Sequence, residues 1–165
     1  GHPGQLERHR KNPPAGRKPV EQVWYTGRIH GETLAHTLCG RKMRYNPGVW
    51  FNSAKFFDIE YQTYGKVDND LNIEDGHFYW EDREKEKCLR FVFDKERKNL
   101  LGLNALGIRL RHNLAEKWIK EKLPVWEAIK NLNDLIFDPE FAKKYHKMVR
   151  SEFESSFSGK EVAGV

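Results

Sequence analysis

The 165-residue sequence predicts an α+β fold: an antiparallel β-sheet packed against C-terminal helices and preceded by a long helix. Apolar residues alternate with polar ones at a period of two through the middle of the chain, and recur at helical spacing near both ends. The strands follow one another before the C-terminal helices begin, and that order makes an antiparallel sheet with helices on one face.

Residues 1–18 read as an extended basic arm, because Pro3, Pro13, Pro14 and Gly16 remove helix. Pro19 suits a first helical position, and Val20, Val23, Trp24, Leu34 and Leu38 recur at helical spacing until Gly40 offers a left-handed stop. A helix of about 20 residues follows. After the loop RKMRYNPG, the stretch VWFNSAKFFDIEYQTYG alternates Phe57, Ile59, Tyr61 and Thr63 with Asp58, Glu60 and Gln62, a half-buried strand.

HFYWE and KCLRFVFD form a hairpin, with Phe78 and Trp80 on one face of the first strand and Leu89, Phe91 and Phe93 on one face of the second. KERKN then turns into LLGLNAL, a further antiparallel strand. Ile108, Ala115, Trp118 and Ile119 make a stripe opposite Arg109, Glu116, Lys117, Lys120 and Glu121, so an amphipathic helix lies on the sheet. Pro124 begins a short second helix. Asp138 and Pro139 resemble an N-cap and first residue ahead of Phe141, Tyr145, Met148, Val149 and Phe153, and residues 156–165 read as a disordered tail.

Five Trp, six Tyr and ten Phe supply the large units of burial that a hydrophobic content of only 38% needs. The net charge is +5, but the basic arm holds Arg8, Arg10, Lys11, Arg17 and Lys18 against Glu7, so most of that charge sits outside the body. A basic arm alone is weak evidence for nucleic acid. Cys39 and Cys88 form no CxxC pattern, so free thiols are expected. No apolar run approaches the roughly 18 residues that cross a bilayer. With no signal-peptide pattern at the start, the expected compartment is the cytoplasm.

Gly27, Gly31 and Ala35 stand four apart within the first helix. A glycine inside a helix is unfavourable by up to ~1 kcal/mol against alanine, so the stripe is expected to let another backbone come close. Nothing else in the chain is an obvious companion for it. Other constellations yield to plainer readings. His36 and Cys39 lie three apart, but His30 points to another face, so no metal site is expected. Asp58 and Glu60 could do acid and base work, yet surface acids on an alternating strand have the same pattern. Neither GxGxxG nor GxxxxGK[ST] occurs, so no complete nucleotide site is encoded.

The run PVEQVWYTGRIHGETLAHTLCG…YNPGVWFNSAKFFDIEYQTYG resembles the C-terminal end of flavin-dependent pyridine-nucleotide oxidoreductases, the superfamily of ferredoxin reductases, apoptosis-inducing-factor-like proteins and disulfide reductases. The resemblance runs from about residue 13 to about residue 122. It implies that residues 19–48 are the terminal helix and loop of an FAD domain and residues 49–155 an α+β interface domain. It also implies cofactor contacts from Pro19, Val20, Glu21 and Gln22 at the helix start, where the dipole faces the pyrimidine edge of the flavin, and from Trp50 and Phe51. Asn52 stands where many relatives carry a further Trp.

On this reading FAD and NAD(P)H belong to a full-length parent with upstream cofactor domains, none is bound by the fragment, and the catalytic residues are unknown. The upstream Gly-Asp motif of the family is missing from this stretch. A stand-alone module whose basic arm binds nucleic acid is the alternative, and a homodimer through the exposed helix is a third reading.

Overall fold

A computed structural model describes residues 17, 18, 20–68, 74–138 and 145–158. The chain divides into two units, at Asn52 and Ser53. Pro19, most of the basic arm, Pro139, Phe141 and the last seven residues of the tail lie outside the described residues.

The N-terminal unit is built around α1, Trp24–Leu38, a helix of 15 residues. It begins at Trp24 rather than at the expected Pro19. Val23 occupies the cap position with extended angles, φ −125° and ψ 134°, and Val20–Gln22 are not helical. Glu21 is held by Arg17 and Thr26, four and five residues away, and this local bonding outweighs helical spacing. Gly40, at φ 83°, follows the helix as the left-handed stop.

The C-terminal unit is a sheet with helices. Its strands are β1 (Phe51–Phe56), β2 (Ile59–Gly65), β3 (Asp75–Asp82), β4 (Lys87–Asp94) and β5 (Leu100–Leu106), in the order β1-β2-β5-β4-β3. β1 starts at the boundary between the units. The helices α2 (His112–Lys120), α3 (Val125–Lys130), α4 (Leu132–Leu135) and α5 (Tyr145–Ser158) complete it.

The expected single strand across residues 57–63 is instead a hairpin. Phe57 and Asp58 form the turn between β1 and β2, with Phe57 fully exposed at φ 54°. A bulky residue in the left-handed region gives no turn signal in sequence, because glycine or asparagine is the usual occupant.

The β3–β4 hairpin is as expected. Phe78 faces Phe91 and Trp80 faces Leu89 across it, and all four are buried. Each large side chain removed from water here contributes roughly 1.5–3 kcal/mol. α5 closes this face with Tyr145, Val149 and Phe153, one turn apart and all buried. Phe153 meets Phe78 edge-on at 5.0 Å and Tyr145 meets Trp80 at 5.8 Å. Met148 is half exposed, and α5 continues through residues 156–158, which the sequence reading gave to the tail.

α2 starts at His112, not at Ile108. Gln62, buried on β2, accepts the Leu110 N–H at 2.6 Å, and Leu110 bridges Ile136, which holds 108–110 out of the helix. Pro124 caps α3, while the one-turn α4 has no distinct sequence signal.

Where β2 meets β5, Gly65 pairs with Gly102, and the chain leaving β2 crosses so closely that a methyl group on Gly102 would overlap the Lys66 backbone. Gly102→Ala should therefore lower stability by roughly 1–3 kcal/mol, an overpacking cost that strand propensity cannot offset. Urea unfolding of the two proteins checks this.

Candidate functional site

The extended residues before α1 are fixed by a buried ion pair. Arg17 and Glu21 lie 2.6 Å apart, each side chain only 4% exposed. The Thr26 hydroxyl donates to the same Glu21 oxygen, Oε2, at 3.0 Å, and the Arg17 guanidinium also reaches the Pro47 carbonyl at 3.5 Å. One carboxylate thus ties together the arm's end, the pre-helical segment and the first turn of α1. Burial pushes the Tyr45 phenol above its ordinary range, while Arg17 lowers it and Glu21 raises it, so Tyr45 borders the same cluster. His30 lies edge-on to Tyr45 at 4.0 Å.

No side chain caps α1 and no acid occupies its first turn, because valine at the cap position cannot accept a hydrogen bond. The first N–H groups of the helix therefore have no side-chain cap among the described residues. Of the predicted cofactor contacts, Val20 and Gln22 lie exposed and non-helical ahead of the helix start, whereas Glu21 is turned into the ion pair. Trp50 and Phe51 are half-buried, and Phe51 packs on Tyr25 with ring centroids 4.5 Å apart. Pro19, the remaining predicted contact, is outside the described residues.

The length of α1 presents an uncovered face. Trp24 is 69% exposed, Leu34 44% and Leu38 74%. Gly27, Gly31 and Ala35 are exposed as well, and a methyl group on either glycine would meet nothing within 4 Å. The close approach that two helical glycines permit is not used within the described residues.

Elsewhere the chemistry is quiet. His36 and Cys39 are exposed, and among the described residues no three His, Cys, Asp or Glu side chains converge where a metal ion could sit. Asp58 lies in the exposed β1–β2 turn, while Glu60 lies on β2 with its carboxylate 3.8 Å from the Arg109 guanidinium, so the two acids do not share a strand face. Burial pushes the Cys88 thiol upward, which keeps it protonated and a poor nucleophile. No helix among the described residues is long and apolar enough to cross a membrane.

No protein-family model and no curated protein matches the chain. Among solved structures it is similar to the NAD-dependent persulfide reductase from A. fulgidus, at a TM-score of 0.52 and 10% identity, over 76% of this chain and 26% of that one. The two share a fold. That fold is the one the sequence resemblance implies, and this chain spans about a quarter of the length of the persulfide reductase. A FAD-dependent pyridine nucleotide-disulphide oxidoreductase from Desulfovibrio vulgaris matches at a TM-score of 0.49 and 14% identity, over 76% of this chain and 30% of that one.

By sequence Arg17 belongs to the arm and Tyr45 to a loop. The signal that links them is tertiary, since the Arg17 guanidinium meets the loop at Pro47. Arg17→Met should cost about 3–5 kcal/mol, because the Glu21 charge would stay buried without its partner, and adding Glu21→Leu should recover most of the loss. Amide hydrogen exchange along α1 reads both effects.

A second test lies on β3. Burial of the phenol, then its hydrogen bond to Glu81, pushes Tyr79 up to about 12 from 10.0. The neutral phenol is the favoured form in the fold, so its contribution to stability is complete below the unfolded value of 10.0 and is lost as pH rises through about 12. Tyrosinate absorbance of Tyr79 should appear only near the upper value, and Glu81→Gln should move it downward.

Proposed function

We propose that the chain is the C-terminal part of a flavin-dependent NAD(P)H oxidoreductase, with residues 19–48 closing its FAD domain and residues 49–155 forming an interface domain. The observation that carries this reading is the uncovered face of α1, where Trp24, Leu34 and Leu38 stay in water and two glycines meet no neighbour. The likeness to one quarter of a longer reductase chain supports it. The upstream FAD and NAD(P)H domains of the same parent are the partners that would cover that face.

When bound, FAD would supply the redox chemistry between NAD(P)H and an acceptor. This chain's residues would serve it from one side. The open end of α1, entered through Val20 and Gln22, offers backbone N–H groups and a positive pole where negative charge gathers on reduction. Arg17 neutralises Glu21, the nearest carboxylate in that segment, so it does not oppose the charge. Tyr25 steadies Phe51, which with Trp50 would form the wall on the acceptor side. With no glycine-rich phosphate loop, the 165 residues alone are not expected to retain FAD.

The test is to produce the chain with about 300 preceding residues, the length of two dinucleotide domains of ~150 each. The purified protein should carry flavin and oxidise NADH or NADPH, and Gly27→Leu with Gly31→Leu should release the flavin. A colourless protein with no NAD(P)H oxidation would overturn the reading.

A further inference from the structure

The face of the sheet opposite α5 carries a polar row across four strands. Tyr79 on β3 pairs with Arg90 on β4, Arg90 with Asn104 on β5, and Asn104 with Thr63 on β2. Directly paired residues of antiparallel strands point to the same side, with Cβ atoms about 5 Å apart. In the next row the Lys66 backbone crosses over Gly102, the partner of Val92, so Arg90 and Asn104 lie in the angle between the sheet and that crossing. Both are half-buried.

The cluster holds donors without acceptors. The Arg90 side chain makes one hydrogen bond among the described residues, from Nη2 to His77 Nδ1 at 3.3 Å, and no described carboxylate lies within ion-pair distance of it. A guanidinium can only donate, so Nδ1 accepts and Nε2 carries the ring hydrogen. That Nε2 is buried with no hydrogen-bond partner. The other charged groups nearby are engaged: Lys66 with Asp75 at 2.6 Å, and Glu81 with Arg83 and the Tyr79 hydroxyl. Asn104 donates through Nδ2 to the Thr63 hydroxyl at 2.6 Å and to the Gln62 carbonyl at 3.3 Å, which leaves its Oδ1 as an open acceptor in the strand beside Arg90.

Arg90 is thus a half-buried cation whose fork of donors meets no anion. We propose that Arg90 and Asn104 bind a carboxylate that carries an amide N–H beside it, as in an N-acyl amino acid or the last residue of a peptide. The two carboxylate oxygens take parallel hydrogen bonds from the guanidinium, and the amide N–H donates to Asn104 Oδ1. The site lies within the C-terminal unit and does not depend on the flavin reading.

The experiment titrates the 165-residue chain with N-acetylglycine, acetate and N-acetylglycinamide, and follows the Arg90 Nε–H and Asn104 amide signals by NMR. N-acetylglycine should saturate with a Kd on the order of 1 mM, acetate should bind about tenfold more weakly, and N-acetylglycinamide should not saturate. Arg90→Lys keeps the charge but not the fork and should weaken N-acetylglycine about fivefold, whereas Arg90→Gln should abolish saturation. N-acetyltriglycine separates the two sources: tighter binding than N-acetylglycine assigns the site to a peptide end, and equal or weaker binding assigns it to the acylated amino acid. Failure of N-acetylglycine to saturate, equal affinity for acetate, or an affinity unchanged in the two Arg90 variants would overturn the inference.

Discussion

The C-terminal unit depends on one constraint: the buried aromatic side chains of β3 and β4 leave the sheet on the same side, opposite to Tyr79. Phe78, Trp80, Phe91 and Phe93 stand at alternate positions of their strands, and the strand period of two puts them together. An apolar sheet face must be covered, and the chain covers it with its own α5, set by Tyr145, Val149, Phe153 and Phe157 at one-turn spacing. The remaining helices are positioned by short backbone links to the strands. The Leu100 N–H donates to the Leu123 carbonyl and the Val125 N–H to the Lys98 carbonyl, which holds α3 against the start of β5.

The N-terminal unit follows a different logic. Its fixed point is polar, the Arg17–Glu21 pair with Thr26, and its helix leaves apolar side chains in water. A buried ion pair is a poor source of net stability, because desolvating two charges offsets most of their attraction. It is strongly directional, however. Here it fixes where the extended segment ends and the helix begins, and the proposed flavin-facing end of the chain requires that definition.

What the sequence made readable follows from the range of each interaction. The β3–β4 hairpin, β5, α3 and the buried side of α5 are local periodicities, and residues such as Trp80 and Phe153 announced them through spacing alone. The β1–β2 turn did not, because Phe57 occupies a left-handed position that favours glycine. The starts of α1 and α2 were placed too early for a shared reason. Val20–Gln22 and Ile108–Leu110 have helical spacing, but partners that the spacing does not show hold each segment: Arg17 and Thr26, four and five residues from Glu21, for the first, and the distant Gln62 and Ile136 for the second. At the candidate site the small-residue face was visible in sequence, whereas the ion pair that sets the helix start was not.

The contrast between the units bears on why α1 has this composition. A helix on the surface of a self-sufficient domain would gain from alanine at positions 27 and 31, since each glycine there costs up to ~1 kcal/mol and no neighbour within 4 Å forbids a methyl group. Leucine and tryptophan at positions 38 and 24, both more than two-thirds exposed, gain nothing from burial. In the C-terminal unit the glycines behave differently: at Gly65, Gly76 and Gly102 an added methyl group would collide with the chain itself. In the C-terminal unit glycine serves close approach, whereas at Gly27 and Gly31 no described atom approaches. An upstream domain packed on α1 would let Gly27 and Gly31 do the same work, and it would bury Trp24 and Leu38 in the same contact.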